Sequence, residues 1–364
     1  MFLSDNDINL SSREIKKILH DAEKSAAAVQ LIYVSDQQPG IKRVKKGKSF
    51  SYVSGSKKVS DAETLQRIKK LVIPPAWQNV WICTLDNGHL QATGVDIKNR
   101  KQYKYHALWN SLRNHTKFYR LHSFGKAIPS MRKQLESDLA LPGLPLQKVL
   151  ATVVCLMEQT SIRVGNSLYE KLYGSFGLTT LKDQHVSIRG NQLQFIFKGK
   201  KGVKHNISIK SKRLAAIVKK CRDIPGKELF QYIDDNGNHH CIDSGMVNSY
   251  LKQISGEDFT AKDFRTWSGS VHAIGAFECL GYSETQTGMK KNIVQALDSV
   301  AKYLGNTRSV CKKYYVHPAV ISLYEQKTLH SYLKPRSSAD KQQEHDLCRE
   351  EKVLMKILEK EMAR

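Results

Sequence analysis

The 364-residue sequence lacks several features, and each absence narrows its chemistry. No apolar run approaches the ~18 residues that a membrane-spanning helix needs. The first residues, Met1 to Asn9, are polar and show no export-signal pattern. The seven cysteines are dispersed, and the nearest two, Cys221 and Cys241, stand 20 residues apart. No C-x-x-C pair exists, so scattered thiols point to a reducing, cytoplasmic setting rather than a disulfide framework. Neither H-E-x-x-H nor G-x-x-x-x-G-K-[ST] occurs, which leaves no recognisable metal site and no triphosphate-binding loop.

Acidic residues are scarce too: 34 Asp+Glu stand against 58 Lys+Arg, a formal charge of +24. That imbalance calls for a polyanionic partner, nucleic acid first and an anionic membrane surface second. Apolar residues make up 40%, enough for a sizeable core.

Periodicity divides the chain. Residues 1 to about 30 read as helical on an Ile15, Ile18, Leu19 face, and 36–58 as a loop or ragged strands. Ser60-Asp61-Ala62-Glu63 is a capping pattern before a short helix that Pro74-Pro75 ends. Strands follow at Val80–Thr84 and His89–Val95, joined by a tight turn at Asp86-Asn87-Gly88, with a third after Lys98-Asn99-Arg100. From about Ala107 the spacing becomes helical, over 107–121, 125–140 and 146–159. A β interlude over Val186–Ile188, Leu193–Phe197 and Val203–Ile209 interrupts it. Helices resume at about 211–222, 244–254, 261–280 and 284–304. The charged tail reads as a solvated amphipathic helix with Leu347, Val353, Leu354, Ile357 and Leu358 as its apolar positions.

Five ordered segments, the first three with cations beside structural punctuation and the last with a late tyrosine, stand out: Arg163-Val164-Gly165-Asn166, Gly199-Lys200-Lys201-Gly202, Lys262-Asp263-Phe264-Arg265-Thr266-Trp267, Leu304-Gly305-Asn306-Thr307 and Tyr315-Val316-His317-Pro318. Singly, each has a blander reading: an arginine at a helix end usually makes a salt bridge, and Gly-Lys-Lys-Gly is usually a hairpin turn. Together they suit phosphodiester transfer, which needs a nucleophile, a proton donor for the leaving oxygen and cations on the non-bridging oxygens. A phosphotyrosine link would conserve the bond energy, so the chemistry requires neither ATP nor a metal.

In this order the segments resemble the bacterial and poxvirus type IB DNA topoisomerases, over roughly residues 60–325. The resemblance implies an α+β fold: a small β-rich N-terminal domain (1–112, with 1–50 an extension beyond the resemblance), a larger mostly α-helical catalytic domain with a small hairpin sheet (113–330) and a helical tail (331–364), the whole a C-shaped clamp on duplex DNA. It implies that Arg163 and Arg265 bind the scissile phosphate, Lys200 protonates the leaving 5′-oxygen, Tyr315 is the nucleophile, Lys262 assists, and Asn306 donates one neutral hydrogen bond. Arg100, Gln102, Tyr103, Tyr105 and Tyr169 would contact DNA. It further implies a monomer with no cofactor or required metal, divalent cations at most stimulating, working in the cytoplasm and on the nucleoid if bacterial. Two rivals are a tyrosine recombinase and a non-catalytic DNA-packing protein. Recombinases usually carry His-x-x-Arg where this chain has Lys262-Asp263-Phe264-Arg265, and a packing protein would not explain the five ordered motifs.

Overall fold

The computed structural model describes residues 14, 18, 21–47, 49–97, 101–226, 228–333 and 345–363. Those up to Tyr119 form one compact unit and those from Arg120 to Ala363 another.

The first unit is built on a six-stranded antiparallel sheet. Its strands are β1 (Ile41–Lys46), β2 (Ser49–Ser54), β3 (Lys57–Lys58), β4 (Gln78–Ile82), β5 (Leu90–Val95) and β6 (Lys101–Tyr105), in the spatial order β3-β2-β1-β4-β5-β6. The stretch expected as loop or ragged strands is therefore regular, with β1 and β2 paired from Ile41↔Ser54 to Lys46↔Ser49. Only Ile41 of β1 is buried, so backbone pairing holds a strand whose lysines stay in water. Ile41, Ile68, Val80, Ile82 and Ala92 form one core. The short helix starts at Ala62, and its cap is Asp61, whose carboxylate accepts from the Thr64 amide at 2.7 Å. Within the expected N-terminal helix, Ala22–Ala27 is helical; Ile15 and Leu19 lie outside the described residues.

The helices expected at 107–121 and 125–140 are one, Ala107–Ala140. Gly125 does not break it. A side chain there would come within 2.6 Å of the Trp267 ring, so this glycine serves close helix packing.

In the second unit, helix Leu146–Thr160 is buried on nearly every face. The β interlude is a three-stranded antiparallel sheet of Val186–Arg189, Gln192–Lys198 and Lys204–Lys210. Helix Ala261–Leu280 runs through the core, where Phe124 meets Phe259, Phe264 and Trp267 with ring centroids 4.9–6.0 Å apart. Truncating one of these rings to alanine costs about 3–5 kcal/mol. Helix Arg349–Ala363 is not a solvated tail. Val353, Leu354, Ile357 and Leu358 are buried, the Trp267 indole donates to Glu351 at 2.9 Å, and Arg132 pairs with both Glu158 and Glu351. Its other charges lie toward the outer face, while Glu351 and the apolar face complete the core behind Ala261–Leu280.

Candidate active site

Helix Leu146–Thr160 ends in Ser161, whose left-handed backbone (φ 52°) turns the chain into the loop carrying Arg163. That loop is clamped to a second one: Leu178 and Thr179 amides donate to the Arg163 and Val164 carbonyls at 2.9 and 2.7 Å. Gly177 permits the approach, since a Cβ there would lie 2.6 Å from the Arg163 carbonyl oxygen. The same second loop reaches the hairpin, where the Phe176 amide donates to the Lys198 carbonyl at 2.8 Å. Lys200 follows Gly199 at the hairpin tip, and left-handed Lys201 and Gly202 bring the chain back into the third strand.

Lys262 and Arg265, three apart on one helix, share a face. Thr260 and Asp263 cap that helix reciprocally, the Thr260 amide donating to Asp263 at 2.8 Å, which gives the aspartate of this segment a structural role. Tyr315 is seated on the same helix. Ser270 Oγ donates to the Tyr315 carbonyl at 3.3 Å, and Gly269 lets that carbonyl approach, since a Cβ would lie 2.5 Å from it. The His317 amide donates to Ser270 at 3.0 Å, and His317 caps the next helix with Pro318 as its first residue. Val316, His317 and Pro318 thus hold Tyr315 in place.

The two arginines are anchored without carboxylates. Arg265, 5% exposed, donates Nη1 to the Ser161 carbonyl and Nη2 to the Leu304 carbonyl at 2.6 Å. Arg163 Nη2 donates to the Gly305 carbonyl at 3.1 Å and to Asn306 Oδ1 at 2.7 Å. Most of these acceptors lie at helix C-termini, where the backbone dipole favours cations. Arg265 Nε and Asn306 Nδ2 are buried donors with no hydrogen-bond partner among the described residues. Burial, then the neighbouring Arg265 charge, pulls Arg163 down to about 10; burial likewise lowers Arg265, and Tyr315 opposes that shift. Both remain cationic at neutral pH, close together and unneutralised, an arrangement that an incoming anion relieves.

One cavity of about 280 Å³ brings Arg163, Tyr169, Lys200, Lys262, Arg265 and Tyr315 together. The Arg265 guanidinium lies 5.4 Å from the Tyr315 ring centroid, and Lys200 Nζ lies 5.7 Å from that of Tyr169. Lys198, Lys201 and Tyr314 do not line it. Asn306 is reached through Arg163.

Residues 101–343 match the family model described as "Eukaryotic DNA topoisomerase I, catalytic core", and 49–96 match "Bacterial DNA topoisomerase IB, N-terminal domain". The chain belongs to the type IB DNA topoisomerases. It is 34% identical over 295 residues to DNA topoisomerase 1B of Acanthamoeba polyphaga mimivirus, covering 79% of this chain and 88% of that one. Against DNA topoisomerase I of Monkeypox virus the identity is 26% over 297 residues (78% and 89%), and against DNA topoisomerase 1B of vaccinia virus, strain Copenhagen, 25% over 296 (78% and 89%). No helix among the described residues of this topoisomerase is long and apolar enough to cross a membrane.

The remaining expected DNA contacts lie in the first unit. Tyr103 and Tyr105 project from one face of β6, exposed and stacked 5.9 Å apart, and Lys101 Nζ lies 5.6 Å from the Tyr103 ring. Gln102 points to the other face and donates to Asp96 at 3.0 Å. Arg100 lies outside the described residues. The carbonyl anchors of Ser161, Leu304 and Gly305 went unread in the sequence, because a backbone acceptor leaves no side-chain signal.

Proposed function

We propose that this topoisomerase relaxes supercoiled duplex DNA by cutting one strand through Tyr315, letting the free end rotate, and resealing the strand. The Tyr315 phenol loses its proton to water and attacks the scissile phosphorus, forming a 3′-phosphotyrosyl bond as the bond to the 5′-oxygen breaks. Arg163 and Arg265 bind the non-bridging oxygens and stabilise the charge that grows on them, with Asn306 adding a neutral donor. Lys200 gives its proton to the leaving 5′-oxygen, Lys262 assists, and Tyr169 contacts the backbone. Reattack by the 5′-hydroxyl reverses every step, so the bond energy is retained and the cycle needs no ATP. Four protein cations supply the charge stabilisation that a metal would otherwise provide, so none is required. The partner is double-stranded DNA, the working form is a monomer in the cytoplasm, and exposed Tyr103 and Tyr105, with Gln102 and Arg100, contact the duplex through its major groove.

The observation that carries the reading is the pair of guanidiniums, Arg265 buried and Arg163 half-buried, held by neutral acceptors and facing one pocket with a tyrosine. The test is relaxation of supercoiled plasmid in EDTA without ATP, wild type beside Tyr315→Phe. Wild type should relax both signs of supercoil. The variant should bind DNA normally, form no covalent adduct and relax neither. An inert wild type, or a variant that still cleaves, rejects the proposal.

A further inference from the structure

The inward row of the strand Lys204–Lys210, with the residue before it, reads Val203, His205, Ile207, Ile209, all half-buried. One imidazole interrupts an apolar series in which valine or isoleucine would serve the sheet better, since a buried polar ring gives up hydration. Its cross-strand partner is Phe197, and the two rings stack 4.9 Å apart at 20°.

What the ring touches explains its presence. A Cβ on Gly199 would lie 2.7 Å from both Cδ2 and Nε2 of His205, and a Cβ on Gly305 would lie 2.6 Å from Cε1. Gly199 has φ −91°, a backbone open to any residue, so its missing side chain makes room for the ring rather than for a turn. Gly199 precedes Lys200. Gly305 precedes Asn306, and its carbonyl accepts from Arg163. A single ring therefore packs against the neighbours of two site residues from distant parts of the sequence.

We infer that His205 is a positioning residue, a wedge that holds the Lys200 turn at its working distance from the Arg163–Asn306 side of the pocket. Burial first, then the charges of Arg163 and Arg265, lower its pKa, so the wedge is a neutral ring rather than a further cation. The inference rests on the reading of Lys200 as the proton donor to the leaving oxygen.

That dependence supplies the test. Replacing the bridging 5′-oxygen at the cleavage site by sulfur gives a leaving group that departs as a thiolate and needs no proton. His205→Ala should slow single-turnover cleavage of ordinary DNA by about ten- to a hundredfold, the scale of a misplaced catalytic group. On the sulfur substrate it should cleave within about threefold of wild type. Lys200→Ala should show the same pattern with a larger loss, and His205→Phe, which keeps a ring in the slot, should retain most of the rate. Gly199→Ala, whose methyl displaces the ring, should reproduce His205→Ala and stands in for it if that variant fails to fold. Equal slowing on both substrates, or no slowing on either, overturns the inference. If Lys200→Ala itself is not rescued by sulfur, the reading of Lys200 falls and takes this inference with it. If Lys200→Ala is rescued and neither His205→Ala nor Gly199→Ala is, the inference alone falls.

Discussion

Arg163 and Arg265 are sunk among backbone carbonyls, whereas Lys200 and Lys262 stand exposed on a hairpin tip and in the first turn of a helix. The buried pair suffers desolvation and mutual repulsion, and in return its forks are fixed before any ligand arrives. The exposed pair keeps its hydration and its freedom. Lys262 even sits at a helix N-terminus, where the dipole disfavours a cation by about 0.3–1 kcal/mol. Groups that stabilise growing charge gain from rigidity, and a group that must hand over a proton gains from reach.

The contrast is open to attack first at Arg265. Arg265→Ala should slow single-turnover cleavage by about 10²–10³-fold, equivalent to ~3–4 kcal/mol. Arg265→Lys should recover little, because one ammonium cannot reproduce a fork that engages two carbonyls at once. Lys262→Ala should be at least about tenfold milder than Arg265→Ala. Equal losses at 262 and 265 would erase the distinction between buried and exposed cations.

Asn306 comes next, since its Oδ1 holds Arg163 while its Nδ2 is an unmet donor. Asn306→Ala should lower the cleavage rate by about tenfold, the worth of one neutral hydrogen bond. Asn306→Asp should be worse than alanine, because a carboxylate there would pair with Arg163 and repel the phosphate. The reverse order would mean that Asn306 does not share the anion site.

The smallest effect is in pH. Burial, then the Arg265 charge, pulls Arg163 down to about 10. Below that pH the guanidinium is charged, so inorganic sulfate should raise the thermal midpoint by binding the folded state. As pH rises through about 10 the proton is lost and the sulfate-dependent rise should shrink. A sulfate effect unchanged from about pH 8 to about pH 11 would place its origin elsewhere.

Much of this pocket was legible in the sequence, because its side chains stand in short segments with strong local signals. The hairpin bearing Lys200 showed itself by alternation around Gly-Lys-Lys-Gly, and the helix bearing Lys262 and Arg265 by its period. Other features were hidden because their cause is tertiary. The spacing lapses between 121 and 125, where one continuous helix in fact packs Gly125 against Trp267. The helix Arg349–Ala363 reads as solvated until Glu351 meets Arg132 and Trp267. Strand β1 is too rich in lysine to alternate visibly, and its pairing with β2 is a matter of backbone alone. His205 carried one faint sign, a lone polar residue in an apolar row.

Anchoring through backbone carbonyls also bears on how the protein tolerates change. A carboxylate that braces an arginine disappears with one codon. The carbonyls of Ser161 and Leu304 belong to no side chain, so substitution at either position leaves the acceptor in the chain. Only a change that bends the backbone can withdraw it. Gly305 is a vulnerable point, because its left-handed φ of 59° and the His205 ring against it both exclude a side chain. The setting of the two arginines is thus robust to drift at the residues that lend only a carbonyl and brittle at glycines such as Gly305 and Gly177.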